Sequence, residues 1–219
     1  APDPPILLLD EPLSMLDAKL RDELKDVIAE VQHRTNKTTL MVTHDQREAL
    51  SLADMVVVLD AGRIVQVGSP TEIYRQPATS FVASFVGSTN LLPAEVTGRL
   101  PDGRLRIQFL GGEILAPTQD GLAPGHSVLI SLRPDDLEIV EERDRAQHPH
   151  VFEGRLRQMV FTGDILRLEV EVAGQIVRIH ATGRRRFALM ESRPETVLFA
   201  TGELVIIPLG ASSEGADDR

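Results

Sequence analysis

Two carboxylates at the end of an apolar run are the residues best suited to chemistry. The stretch "ILLLDEP", residues 6–12, runs four apolar residues into Asp10 and Glu11 and then meets Pro12. The run predicts a buried strand. A charge is costly to bury, so both acids should sit where that strand leaves the core. In open α/β sheets the carboxyl end of a strand is where ligands bind. Successive side chains there point to opposite faces, so the two acids would take different tasks. One could hold Mg²⁺, usually through water, because hard cations prefer oxygen ligands. The other could orient and deprotonate an attacking water. Pro12 fixes the backbone behind them. Taken alone, an acidic pair at a strand end is more often a helix cap or a surface turn. Two further residues shift that balance. Asp17 lies six residues past Glu11 in a loop that opens a helix, and His44 closes the next apolar run, 33 residues past Glu11. Both acids, the loop Asp and the His at the ends of neighbouring strands form a set that chance rarely assembles.

The elements that must position these residues follow from the pattern. Asp17 can cap a helix whose apolar face is Leu20, Leu24, Val27, Ile28 and Val31. "TTLMVTH" (38–44) reads as a second buried strand, and "DQRE" (45–48) as a capping box with Asp45 and Glu48 three apart. "MVVVLD", "AG" and "RIVQVG" give strand, turn and strand. "SPTE" (69–72) opens another helix with Ser69 as cap, Pro70 in the first turn and Glu72 completing the box. Phe81 and Phe85 lie one helical turn apart, and Gly87 can end that helix. Alternating strands and helices predict an α/β layer with parallel strands over residues 1–87. Beyond Gly87 the period becomes two, in "RLRIQF", "SVLISLR", "DILRLEVEV", "QIVRIHA" and "ELVIIPL". That predicts an all-β domain over 88–211, a small OB-like barrel, followed by a polar tail at 212–219 expected to be disordered. The tripeptide "GRL" opens a hairpin-like segment twice, at 98–100 and 154–156.

Composition narrows the function. The 219 residues carry 23 Lys and Arg against 33 Asp and Glu, a formal charge of −10, which argues against broad nucleic-acid binding. There is no Cys, so disulfides, thiolate zinc sites and Cys nucleophiles are excluded, and the composition suits a reducing cytosol. No apolar run approaches the roughly 18 residues of a membrane span, and no signal peptide is visible. The chain begins with Ala1, so position 1 need not be the natural start.

"ILLLDEPLSMLD" resembles the Walker B and D-loop segment of ATP-binding cassette (ABC) transporter ATPases. "VTHDQREALSLADMVVVLDAGRIVQVGSPTEIYRQPATSFVASFVG" is similar to the switch-histidine loop and C-terminal end of the same domain. The nearest branch is the importers of sugars, polyamines, ferric iron or sulfate-type anions. "TNLLPAEV" and "ISLRPDDLEIV" resemble the β-rich TOBE accessory domain that follows the ATPase in that branch. The likeness covers residues 1 to about 210 and is most specific through Gly87. It implies a partial P-loop ATPase core with roles residue by residue. Asp10 would support Mg²⁺ through water and Glu11 would be the general base. Ser14 to Asp17 would form the loop crossing a nucleotide-binding dimer interface, with Asp17 its matching acid. His44 would contact the γ-phosphate of ATP and sense its loss. Met15 stands where the family often has Ala or Asn. The implied partners are a second copy of the ATPase subunit, a membrane permease and, indirectly, a solute-binding protein. The implied location is peripheral, on the cytoplasmic side of the inner membrane.

The chain contains no Gly-Lys pair, hence no G-x-x-x-x-G-K-[ST] phosphate cradle, and no LSGGQ-type signature. Without a cradle, Asp10, Glu11 and His44 have nothing to hold a nucleotide against. The expectation is a truncated piece of a transport ATPase that alone neither binds MgATP usefully nor hydrolyses it. Its uncovered sheet and helix faces should drive dimers or higher oligomers, against which a monomer mass in light scattering would count. The rival reading is a non-catalytic regulatory or dimerisation module built on the β-domain. A DNA-repair or chromosome-structure ATPase is a third. Three other features read blandly. "GRRRF" (183–187) is a solvated loop between strands, "HPH" (148–150) a linker or turn, and "PDD" (134–136) a turn or helix cap.

Overall fold

A computed structural model describes residues 5–35 and 37–209, so the tail at 212–219 lies outside the described residues. The chain divides into two compact units, Ala1–Ala78 with Phe85–Gly87, and Thr79–Ser84 with Ser88–Arg219.

In the first unit β1 (Ile6–Asp10) pairs in parallel with β2 (Thr38–Val42), from Ile6 opposite Thr38 to Asp10 opposite Val42. Parallel strands need a crossover, and α1 (Ala18–Thr35) supplies it. Then come α2 (Gln46–Leu52), the antiparallel pair β3 (Val56–Asp60) and β4 (Arg63–Gly68), and α3 (Pro70–Arg75). The β3–β4 turn has two positive φ angles, +47° at Ala61 and +76° at Gly62, the left-handed pair that matches strand twist in a two-residue hairpin. Ser69 and Glu72 form the capping box ahead of α3, with Pro70 in the first turn. The apolar runs predict β1 and β2 as buried strands, whereas the expected uncovered sheet and helix faces predict exposure, and among the described residues it is the exposure that is seen. Their alternate residues Ile6, Leu8, Leu40 and Val42 are open, Leu8 at 69% and Leu40 at 60%. The ribbon has two strands among the described residues, so one of its faces has no cover. On α1, Leu20, Val27 and Val31 are exposed as well.

The helix α4 (Ser80–Phe85), which lies in the second unit up to Ser84, precedes ten strands among the described residues. These are β5 (Asn90–Arg99), β6 (Leu105–Phe109), β7 (Gly112–Ala116), β8 (Ser127–Leu132), β9 (Glu138–Ile139), β10 (His150–Phe161), β11 (Leu166–Val172), β12 (Gln175–Ala181), β13 (Thr196–Thr201) and β14 (Val205–Pro208). They form two antiparallel five-stranded sheets, ordered β12-β11-β10-β13-β9 and β14-β8-β5-β6-β7. Period-two burial shows in β6 (Leu105, Ile107, Phe109) and β11 (Leu166, Leu168, Val170, Val172), and both sheets feed one core. Phe152 on β10 packs edge-on against Phe109 on β6, ring centres 5.6 Å apart, and so joins the sheets.

Two expectations are corrected in this unit. The β-rich part is two open sheets and not one closed barrel. Nor is it all-β, because "GRRRF" opens the helix α5 (Gly183–Ser192) instead of a loop. "RRRFALMES" holds no β-branched residue and several strong helix formers, and Leu189 anchors the helix in the core. "PDD" is a turn, as expected, but Asp135 Oδ1 lies 2.8 Å from His180 Nδ1 on β12, a contact the sequence does not signal. In "HPH", His148 follows a 3-10 helix (Glu142–Gln147) and His150 begins β10, where burial lowers its pKa.

Asn90 links the sheets. It is 5% exposed on β5, donates to Leu132 O (3.1 Å) and Arg178 O (2.9 Å), and accepts from Arg178 N (2.8 Å). Its amide therefore does for Arg178 on β12 what a paired strand would do. Asn90→Ala is expected to cost about 1–3 kcal/mol, because it leaves buried backbone groups unpaired. Urea unfolding would show this as a lower midpoint at unchanged slope.

Candidate functional site

The site is built where β1 and β2 end side by side. Asp10 occupies the last paired position of β1 and is exposed. Glu11 N donates to Val42 O at 2.8 Å, so the ladder runs one residue further. Glu11 then takes φ +44°, a left-handed backbone that costs a residue bearing a Cβ about 1–2 kcal/mol. Ser14 holds it there, its Oγ donating to Glu11 O at 3.0 Å and its N–H to the same oxygen at 3.3 Å. Leu13, 2% exposed, pins this loop from inside. Asp17 Oδ1 accepts from Lys19 N and Leu20 N, both at 3.0 Å, and caps α1.

Just past β2, His44 Nδ1 lies 3.0 Å from Glu11 Oε1. Two residues 33 apart in sequence thus meet because their strands are parallel neighbours in register. The His44 pKa is raised, first by the hydrogen bond to Glu11 and then by the Glu11 charge, with Glu48 and Asp45 adding to the effect. Protonated His44 donates Nδ1–H to the carboxylate. A raised folded-state pKa means that this contact contributes fully below the ordinary His value and is lost as pH rises through the raised one. Both side chains are exposed, so the gain in stability is small. Asp10 and Asp17 stay outside the contact: Asp10 makes no hydrogen bond to either partner among the described residues, and Asp17 is occupied at the α1 cap.

Two residues to which the sequence assigns no role, Thr43 and Arg21, support the turn that carries His44. The expected capping box at α2 forms only in part. Asp45 Oδ1 accepts from Arg47 N (2.8 Å) and Glu48 N (3.4 Å), but Glu48 does not reach back to Asp45 N. Thr43 Oγ1 takes that N–H at 3.0 Å and donates its own proton to Glu48 Oε2 at 2.6 Å. Glu48 is 2% exposed, which makes this bond its route to satisfaction in the interior. The signal available was the Thr two residues before the cap, a closer acceptor than Glu48. Arg21 supplies the third link, with Nη1 3.2 Å from Asp45 Oδ2 and Nη2 donating to Leu16 O at 3.0 Å. A cavity of about 390 Å³ beside His44 is lined by Arg21, Asp22, Lys25, Asp45, Gln46 and Arg47, with more cationic than acidic groups.

Among the described residues no group of three or more His, Asp or Glu is placed to hold a metal, and no helix is long and apolar enough to cross a membrane. The TOBE domain family matches residues 130–207. The sulfate/thiosulfate import ATP-binding protein of Chromobacterium violaceum is 45% identical over 174 residues, 80% of this chain and 45% of its own. The spermidine/putrescine import ATP-binding protein of Pseudomonas aeruginosa is 40% identical over 197 residues, 88% of this chain and 52% of its own. The Fe(3+) ions import ATP-binding protein of Rhizobium meliloti is 49% identical over 134 residues, 61% of this chain and 32% of its own. The chain thus spans about half the length of the first two. A solved structure of the cytoplasmic molybdate-binding protein ModG aligns with 54% of this chain and 96% of its own at 13% identity and a TM-score of 0.44, too loose a likeness to carry an argument.

Proposed function

We propose that this chain, a region of an ABC importer ATP-binding subunit with its TOBE domain, forms one wall of a site that hydrolyses MgATP to drive solute uptake. The observation that carries the reading is the 3.0 Å contact between Glu11 and His44 at the ends of adjacent parallel strands. An acceptor for a water proton beside a donor for phosphate oxygen is the pairing that this reading needs. Glu11 takes a proton from the attacking water as that water's oxygen bonds to the γ-phosphorus, and the bond to the bridging oxygen of ADP breaks. His44 Nδ1–H, held by Glu11 in the absence of nucleotide, would exchange that partner for the γ-phosphate when one enters. Asp10 fits Mg²⁺, which is usually held by one or two carboxylates plus phosphate oxygens and water, and one exposed carboxylate stands there. When bound, the ion would neutralise phosphate charge. Ser14 and Asp17 shape the loop that faces a second copy of the subunit. The permease partner would hold the assembly at the cytoplasmic face of the membrane, and the solute would be sulfate, a polyamine, ferric iron or a sugar.

The phosphate cradle is not in these 219 residues, so the polypeptide by itself should give no saturable heat with MgATP up to millimolar concentration. Titration calorimetry on the wild type and on Glu11→Gln tests this. Saturable binding in either protein would mean that the chain grips a nucleotide without a phosphate cradle, and would overturn the one-wall reading.

A further inference from the structure

We propose that Arg21 is a positioning residue: its guanidinium locks the 11–17 loop to the cap of α2 and thereby keeps His44 against Glu11. Glu11 and His44 sit on different connections, one leaving β1 and the other leaving β2. The strand ladder fixes their backbones only as far as the Glu11 N–Val42 O bond. Beyond it each connection needs its own tie. Arg21, in the first turns of α1, reaches both. One Nη holds Leu16 O in the loop carrying Glu11, and the other holds Asp45, the residue after His44. Asp45 cannot swing away, since its second oxygen caps α2. The Nε–H of Arg21 is buried and makes no hydrogen bond among the described residues, so the fork is held at its two outer nitrogens. A planar fork can span two acceptors in fixed geometry, whereas an ammonium group is a point charge on a flexible stem. The loop facing a second subunit and the His that would read the phosphate therefore move as one piece. That consequence for hydrolysis rests on the function proposed above. The tie itself does not.

The test reads His44 in the 219-residue chain without nucleotide, by following its ring ¹⁵N and ¹³C signals through a pH titration. Glu11, Glu48 and Asp45 face the imidazole as acids, and Arg21, Lys25 and Arg47 line the same cavity as cations. Glu11→Ala, which removes the acceptor altogether, sets the reference for full loss of the contact. Arg21→Ala is expected to bring the His44 pKa down toward the ordinary His value, and Arg21→Lys to bring it part of the way. The sign is diagnostic. Removing a nearby cation acts through space in the opposite direction and would raise the pKa. A His44 pKa unchanged or raised in both variants overturns the proposal, even if the melting temperature falls. If Arg21→Ala fails to fold, the charge-conserving Arg21→Lys alone decides. A drop in His44 pKa together with full hydrolysis by a Glu11→Gln enzyme would sink the catalytic reading and leave the positioning role standing.

Discussion

Glu11→Gln should stop ATP hydrolysis while leaving ATP binding in place. The measurement needs a phosphate cradle, so the chain would be fused behind a segment that carries one. Removing a general base typically costs about 10²–10⁴-fold in rate. Gln keeps the shape of Glu and can still accept a hydrogen bond from His44 Nδ1 through its amide oxygen, so the 3.0 Å contact need not collapse. What Gln cannot do is take a proton from water. The expected pattern is therefore a fall in kcat with Kd for ATP changed little. His44→Ala should behave differently. On the proposed reading it would remove a phosphate contact, and it frees the Glu11 carboxylate, so its effect should fall on ATP affinity as well as on rate. If the Glu11→Gln enzyme hydrolyses at close to the normal rate, Glu11 is not the base, and the contact with His44 is only a surface ion pair of the kind that contributes little.

The convergence of Glu11 and His44 was legible because it depends on local signals repeated twice. Each residue ends an apolar run, and parallel strands joined by one helix bring such ends together. The Ser69–Glu72 box and the Ala61–Gly62 turn were legible for the same reason, since each is settled within four residues. What escaped was decided by competition or by distance. Glu48 had the right spacing to cap its own helix, but Thr43 sat nearer to the Asp45 N–H and displaced it. Arg21 and Asp45 are 24 apart, and nothing in either neighbourhood marks the pair. Asn90 reaches Arg178, 88 residues away, and a polar residue opening an apolar strand looks from sequence like a turn residue. "GRRRF" suggests a loop when its three arginines are taken alone, and the helix shows only when the run is extended through "ALMES". The apolar runs of β1 and β2 overstate their burial for a different reason, and the uncovered face expected of this sheet is what is seen. An apolar run reports what a strand is suited to be covered by, and this ribbon has one face without cover among the described residues.

The two "GRL" tripeptides give the second large effect, because identical letters sit in opposite surroundings. A methyl group added at Gly98 on β5 would meet nothing nearer than side-chain carbons of Arg106 at 3.8 Å. One added at Gly154 on β10 would lie 2.5 Å from Val170 Cγ1, 2.6 Å from Val172 Cγ2 and 2.7 Å from Glu171 O. The two valines are buried core residues of β11, and the carbonyl belongs to the neighbouring strand. None of the three can move aside without disturbing the central pairing of its sheet. Gly98→Ala should therefore leave the melting temperature nearly unchanged. Gly154→Ala should cost about 3 kcal/mol, at the upper end of overpacking, or prevent folding altogether. Trimming a clashing group discriminates the cause. Val170→Ala alone leaves a cavity and destabilises. If crowding is what makes Gly154 necessary, the double variant should be more stable than the sum of its parts predicts, since one change relieves the other. The carbonyl of Glu171 remains, so recovery should be partial. Strict additivity would mean that the cost at position 154 comes from the backbone alone, and that the valines close over the glycine without requiring it.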